Sequence, residues 1–124
     1  MISVDKQSRV PIYEQIVDCI EKDILNGVIA SDELIPSVRA LSIELSTNPN
    51  TIQKAYTELE RSGITYSVPG VGRYVSKDAI KIIKSKMINS ENSLVQVVED
   101  LKMAGLTLDE IIEKVKQIYG GQLK

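Results

Sequence analysis

The chain has 124 residues, 43% of them apolar and 26% charged, which fits one soluble domain or one domain with a small appendage. It contains no Trp, Phe or His and a single Cys, so it lacks the commonest general base and cannot build an intramolecular disulfide or a Cys/His zinc site. The formal net charge is −2, and residues 1–78 carry eight Lys/Arg against eleven Asp/Glu, so affinity for a polyanion has to come from where the cations sit.

The opening residues, Met1-Ile2-Ser3-Val4-Asp5, have neither a basic n-region nor an apolar h-region. No run of about 18 apolar residues occurs anywhere, so the expectation is a cytoplasmic chain with no membrane partner. Pro11 suits a first helical position. Ile12, Ile16, Ile20 and Ile24 then recur every four residues, with Tyr13, Val17 and Leu25 beside them, which predicts an amphipathic helix over 10–26 ended by Asn26-Gly27. Cys19 lies near this stripe and reads as a buried structural thiol. The stretch 28–35 is irregular, with room for one brief strand at Leu34-Ile35.

Pro36-Ser37 opens a second helix, with Ser37 as N-cap and Val38, Leu41 and Leu45 facing inward. A third follows almost at once: Asn48 is a good N-cap, Pro49 a good first residue, and Ile52, Ala55, Tyr56 and Leu59 form its inward face before Gly63. Two short helices separated by about three residues have helix-turn-helix spacing. After Gly63, Ile64-Thr65-Tyr66-Ser67 and Arg73-Tyr74-Val75-Ser76 have strand composition, and Pro69-Gly70-Val71-Gly72 joins them as a turn, so the expected element is a β-hairpin wing.

The character changes near Asp78. Ile80, Ile83, Met87, Val95, Val98 and Leu101 lie on a helical period interrupted by the polar stretch 89–93, and Gly105 ends the segment. Thr107-Leu108-Asp109-Glu110 is a capping box for a last helix carrying Ile111, Ile112, Val115 and Ile118. These are more apolar positions than two short helices can bury between themselves, so a second copy of the chain is the natural cover. The expected organisation is a winged helix-turn-helix over 1–77 and a two-helix dimerisation tail over 78–124, mainly α with one small hairpin.

Four ordered blocks carry a resemblance: Pro11-Ile12-Tyr13-Glu14-Gln15-Ile16, Pro36-Ser37-Val38-Arg39-Ala40-Leu41, Asn48 through Glu60, and Gly70-Val71-Gly72-Arg73-Tyr74-Val75. Together they resemble the DNA-binding domain of the GntR family, and the Pro-Ile-Tyr opening, the Asn-Pro-Asn-Thr segment and the short tail are similar to its YtrA-type subfamily. The chain departs from the family pattern at Ser31-Asp32, where a Pro-Gly pair is usual. It departs again in the wing, where Val71 replaces a basic residue and Arg73 a Thr. The resemblance implies a transcriptional regulator, a repressor by expectation, that binds a palindromic double-stranded operator as a homodimer, without cofactor or metal and without enzymatic activity; it names no effector.

A recognition helix needs short polar side chains at its N-terminal end, and Asn48, Asn50, Thr51 and Gln53 supply them; Asn and Gln can pair bidentately with adenine. The same Asn48-Pro49 pair also reads as nothing more than a helix cap. The resemblance places Arg39 on DNA. Ser37, Pro49, Lys54, Gly70, Gly72 and Arg73 complete the expected contact set, with Lys54 on a phosphate and Arg73 as the wing's cation. A winged helix used only for protein contact is the rival reading, and salt-dependent retention on DNA separates the two.

Overall fold

The computed structural model describes residues 2–121. The chain folds as helix α1 (Ile12–Leu25), α2 (Val38–Leu45), α3 (Pro49–Arg61), strands β1 (Thr65–Val68) and β2 (Gly72–Val75), then α4 (Ala79–Ile88), α5 (Glu91–Met103) and α6 (Leu108–Tyr119). The four-residue repeat in α1 does what its spacing requires: Ile16, Ile20 and Ile24 are all essentially inaccessible. Pro11, expected as the first helical residue, is instead the N-cap, with an extended ψ of 144°, and the helix starts at Ile12. Leu41 of α2 and Ile52, Ala55, Tyr56 and Leu59 of α3 close over that stripe, joined by Ile35, Ile64 and Val75. Each buried Ile, Leu or Val side chain contributes about 1.5–3 kcal/mol by leaving water.

Local sequence sets the helix ends. Ser37 Oγ accepts from the Ala40 N–H at 3.0 Å, and Asn48 Oδ1 accepts from the Asn50 N–H at 2.8 Å. After α3 the Gly63 N–H donates to the Glu60 carbonyl and the Ile64 N–H to the Leu59 carbonyl, both at 3.0 Å, which is a Schellman closure. Gly63 takes φ 84° there, and a Cβ at this position would come within 3.2 Å of Ile82 Cδ1.

β1 and β2 pair antiparallel with Tyr66 opposite Tyr74, and the two rings stack with centroids 5.7 Å apart. The brief strand expected at Leu34-Ile35 exists as one antiparallel bridge, Leu34 to Tyr74, extended by the Ile35 N–H to the Arg73 carbonyl at 2.9 Å and the Val75 N–H to the Glu33 carbonyl at 3.0 Å. The loop before α2 is thereby laced onto the wing. Asp32, one of the positions at which the chain departs from the resembled pattern, is in the left-handed region at φ 62°. Asp tolerates that region better than most residues, and its N–H donates to the Val75 carbonyl at 2.8 Å.

The chain divides into two compact units, one through Lys86 and one from Met87 onward. The first therefore runs past the boundary expected at 77 and takes in α4 as far as Lys86. Ala79 and Ile83 of α4 are wholly buried in the same core as α1 and α3, and Lys86 pairs with the largely buried Glu21 of α1. Ile83, expected on a dimer face, is thus a core residue of its own chain and has no surface left for a partner. Ile80, three residues earlier, is exposed. Cys19 is only partly covered, its thiol directed at the Ser3 carbonyl 3.4 Å away.

In the second unit α6 begins with the expected capping box, Thr107 and Glu110 each hydrogen-bonded to the other's backbone N–H. Those bonds hold the Glu110 carboxyl below the ordinary carboxylate range. No residue whose burial is described in this unit is buried. Val98, Leu101 and Ile111 are half-covered, whereas Met87, Val95, Ile112, Val115 and Ile118 are exposed, as are Leu94 and Val97. Among the described residues no helix is long and apolar enough to cross a membrane.

Candidate nucleic-acid interface

The turn between α2 and α3 is built by the residues around Ser46. Ser46 adopts φ 50° and ψ 46°, which lets its N–H reach the Ile43 carbonyl and the Thr47 N–H reach the Ser42 carbonyl at 3.0 Å. Lys6 donates to the Ser46 carbonyl at 2.7 Å, so the N-terminal arm is tied to this turn. Gln15 ties the same arm to α1: its amide accepts from the Asp5 N–H at 2.7 Å and donates to the Val10 carbonyl at 2.8 Å.

The turn presents α3 with two faces. Ile52, Ala55, Tyr56 and Leu59 are inaccessible, and Asn50, Gln53, Lys54 and Thr57 lie in solvent, with Thr51 half-covered beside them. Of the expected readers, Asn48 has its amide oxygen committed to the helix cap, which leaves its NH2 group for other partners. Gln53 donates to Thr57 Oγ1 at 3.2 Å, one turn further along the same face. Lys54 does not project freely: its ammonium lies 4.1 Å from the ring centroid of Tyr13 on α1. Pro11, Ile12, Tyr13, Asn50, Thr51 and Lys54 line an open recess of about 430 Å³ between the start of α1 and the start of α3.

A second recess, about 320 Å³, lies where the wing meets the start of α2, and its lining includes Ser37, Arg39, Val71 and Arg73. Arg39 is exposed at the second residue of α2. Arg73 differs from expectation. Its guanidinium is drawn back over the Tyr56 ring, 5.5 Å from the centroid, and its Nε is buried without a hydrogen-bond partner among the described residues. Val71 and Pro69 are exposed at the wing tip. Gly70 takes φ 78° behind Pro69, the arrangement of a type II turn, and Gly72 takes φ 144° where a Cβ would press to 3.0 Å from Leu34 Cδ1. Tyr56 ties the pieces together: its hydroxyl donates to the Pro36 carbonyl at 2.7 Å, and burial pushes its pKa up to about 12.

The net negative charge is accommodated by segregation. Neither recess is lined by a carboxylate. Glu14, Asp18, Glu21 and Glu58 instead line a separate groove of about 570 Å³ with Tyr13, Val17, Arg61, Ser62 and Lys86. Within it Glu58 pairs with Arg61 and Glu21 with Lys86. No cluster of metal-binding side chains occurs among the described residues. Sequence reasoning missed Tyr13 and Lys6 as parts of the site. Neither sits in the helix-turn-helix, and only the packing of α1 and the arm brings them to it.

The family of bacterial regulatory proteins named after gntR matches residues 12–75. The HTH-type transcriptional repressor YtrA of Bacillus subtilis (strain 168) is 39% identical over 119 residues, which is 95% of this chain and 92% of that protein. A GntR family transcriptional regulator from Listeria monocytogenes superposes with a TM-score of 0.74 at 33% identity, covering 92% of this chain and 98% of that one. The DNA-binding domain of AraR, crystallised in complex with operator ORR3, superposes with a TM-score of 0.53 at 32% identity, covering 59% of this chain and 88% of that one.

Proposed function

Because the chain belongs to the GntR family of bacterial regulatory proteins, we propose that it is a repressor that binds a palindromic operator as a homodimer. The observation that carries this is the polar face of α3, where Asn50 and Lys54 line a recess free of carboxylates and Gln53 is exposed on the same helix. In this reading the first turns of α3 enter the major groove, where Asn50, Thr51 and Gln53 meet base edges. Ser37 and Arg39 engage phosphates from the recess at the wing, and Lys54 does so from the recess beside α1, so these three fix register and carry no sequence information. Asn48 and Pro49 shape the helix start, and Gly70 and Gly72 let the wing backbone come close to the duplex. Because Arg73 is held over Tyr56, the wing tip meets DNA through backbone and Val71.

Dimerisation falls to the second unit. Its helices expose Val95, Ile112, Val115 and Ile118 and half-expose Val98, Leu101 and Ile111, and a pair of helices with no buried residue among those whose burial is described is stabilised by a second copy. Met87 opens this surface and Ile80 remains available on α4. A two-fold dimer reads two half-sites in opposite orientation, hence a palindrome. The AraR complex with its operator supports DNA as the ligand, and the YtrA relative supports repression.

The test is selection of duplexes from a random DNA pool by the full chain, followed by affinity at several salt concentrations. A palindromic consensus, a steep salt dependence and loss of binding in a normally folded Arg39→Ala variant are expected. A chain that sediments as a monomer at tens of micromolar refutes the dimer. Absence of salt-dependent retention on DNA leaves the protein-contact reading instead.

A further inference from the structure

We infer that Tyr13, on the first helix and outside the helix-turn-helix, is a positioning residue for DNA binding that holds Lys54 ready for a phosphate. This rests on the proposed contact between Lys54 and DNA. Lys54 lies 4.1 Å from the Tyr13 ring centroid, and the recess around it holds no carboxylate. A carboxylate is nevertheless within its reach along the helix: Glu58 is four residues further on, the spacing at which Lys and Glu pair. Glu58 pairs with Arg61 instead. The ring thus gives the ammonium a seat that leaves its charge unneutralised. A cation over a ring face still has N–H groups directed away from the ring, so a phosphate can approach from the open side. Lysine carries a large rotamer entropy, and a side chain already held in place loses less of it when DNA binds. Tyr13 is itself fixed, packed against the core on one side and donating its hydroxyl to Glu14 at 3.2 Å.

The experiment uses the full chain and a duplex recovered by the wild type from a random pool. It compares Tyr13→Phe, Tyr13→Leu, Lys54→Gln and the Tyr13→Leu/Lys54→Gln double variant, each checked by thermal melt. Tyr13→Phe keeps the ring and should bind within about twofold of wild type. Tyr13→Leu should weaken binding by about two- to fivefold per half-site, the size of an exposed cation–π contact. Lys54→Gln should lower the salt slope by about one per subunit, and adding Tyr13→Leu to it should cost nothing more. In the free chain, the Lys54 ε-methylene protons should show an upfield ring-current shift that persists in Tyr13→Phe, a readout that stands even if Tyr13→Leu fails to fold. Additive losses in the double variant, a Phe variant as weak as the Leu variant, or no ring-current shift in the wild type overturns the inference. A wild type that recovers no duplex from the pool overturns the DNA-binding reading itself, which is a separate result.

Discussion

Replacing Tyr56 with Phe isolates the hydroxyl that joins the recognition helix to the start of α2. The ring is inaccessible, so Phe fills the same volume and keeps the face against which Arg73 lies. What is lost is the 2.7 Å bond to the Pro36 carbonyl. A buried neutral hydrogen bond contributes about 0.5–1.5 kcal/mol net, and Pro36 is exposed enough for water to take up its carbonyl, which puts the loss near 1 kcal/mol. In a domain of this size that lowers Tm by about 4–8 °C. The same hydroxyl gives a pH signature. Burial raises its pKa from 10.0 to about 12, so the folded state favours the neutral phenol. Its stabilisation is complete below pH 10 and declines above it, because the unfolded chain ionises first. By pH 11 the wild type should have lost about 1.4 kcal/mol through this group, and Tyr56→Phe none. The stability gap seen in urea melts at pH 8 should therefore close or invert by pH 11. Tyr13 and Tyr66 are also shifted upward but are common to both proteins, so they cancel in the comparison. A gap that stays constant between pH 8 and pH 11, or a Phe variant as stable as wild type at pH 8, would falsify this account.

Ser46→Gly removes a Cβ from a left-handed residue in the helix-turn-helix turn and should raise stability by about 0.5–1 kcal/mol, read as a higher urea midpoint at unchanged m-value. Lys86→Ala leaves the carboxylate of Glu21 largely buried and unpaired, and should cost about 1–2 kcal/mol because the lysine is itself half-exposed; Lys86→Ala/Glu21→Gln should recover most of this in the same melt. Gln53→Ala should relax preference at one base pair per half-site by about 1–3 kcal/mol with little change in salt slope; equal weakening across a panel of single-base operator variants would move base reading to Asn50 and Thr51.

Features decided within a few residues were legible in the sequence. The isoleucine repeat of α1, the caps at Ser37, Asn48 and Thr107, the glycine closing α3 and the Pro69-Gly70 turn each follow from local φ/ψ preference and one or two hydrogen bonds, so the helix-turn-helix, the wing and the polar face of α3 could be placed without coordinates. What the tertiary structure decided depends on residues distant in the chain. Ile83 has the same helical spacing as Ile80 and Met87, and periodicity says that one face is covered, not by what; the core of the first unit covers Ile83. Arg73 reads as a free wing cation until the β2 register and the buried Tyr56 draw it inward, and Lys54 reads as a phosphate contact with no protein partner of its own until α1 lays Tyr13 beneath it. A side chain's charge is written in its residue type. Its direction is set by the neighbour that packing supplies, and for Lys54 that neighbour comes from another helix, 41 positions earlier in the chain.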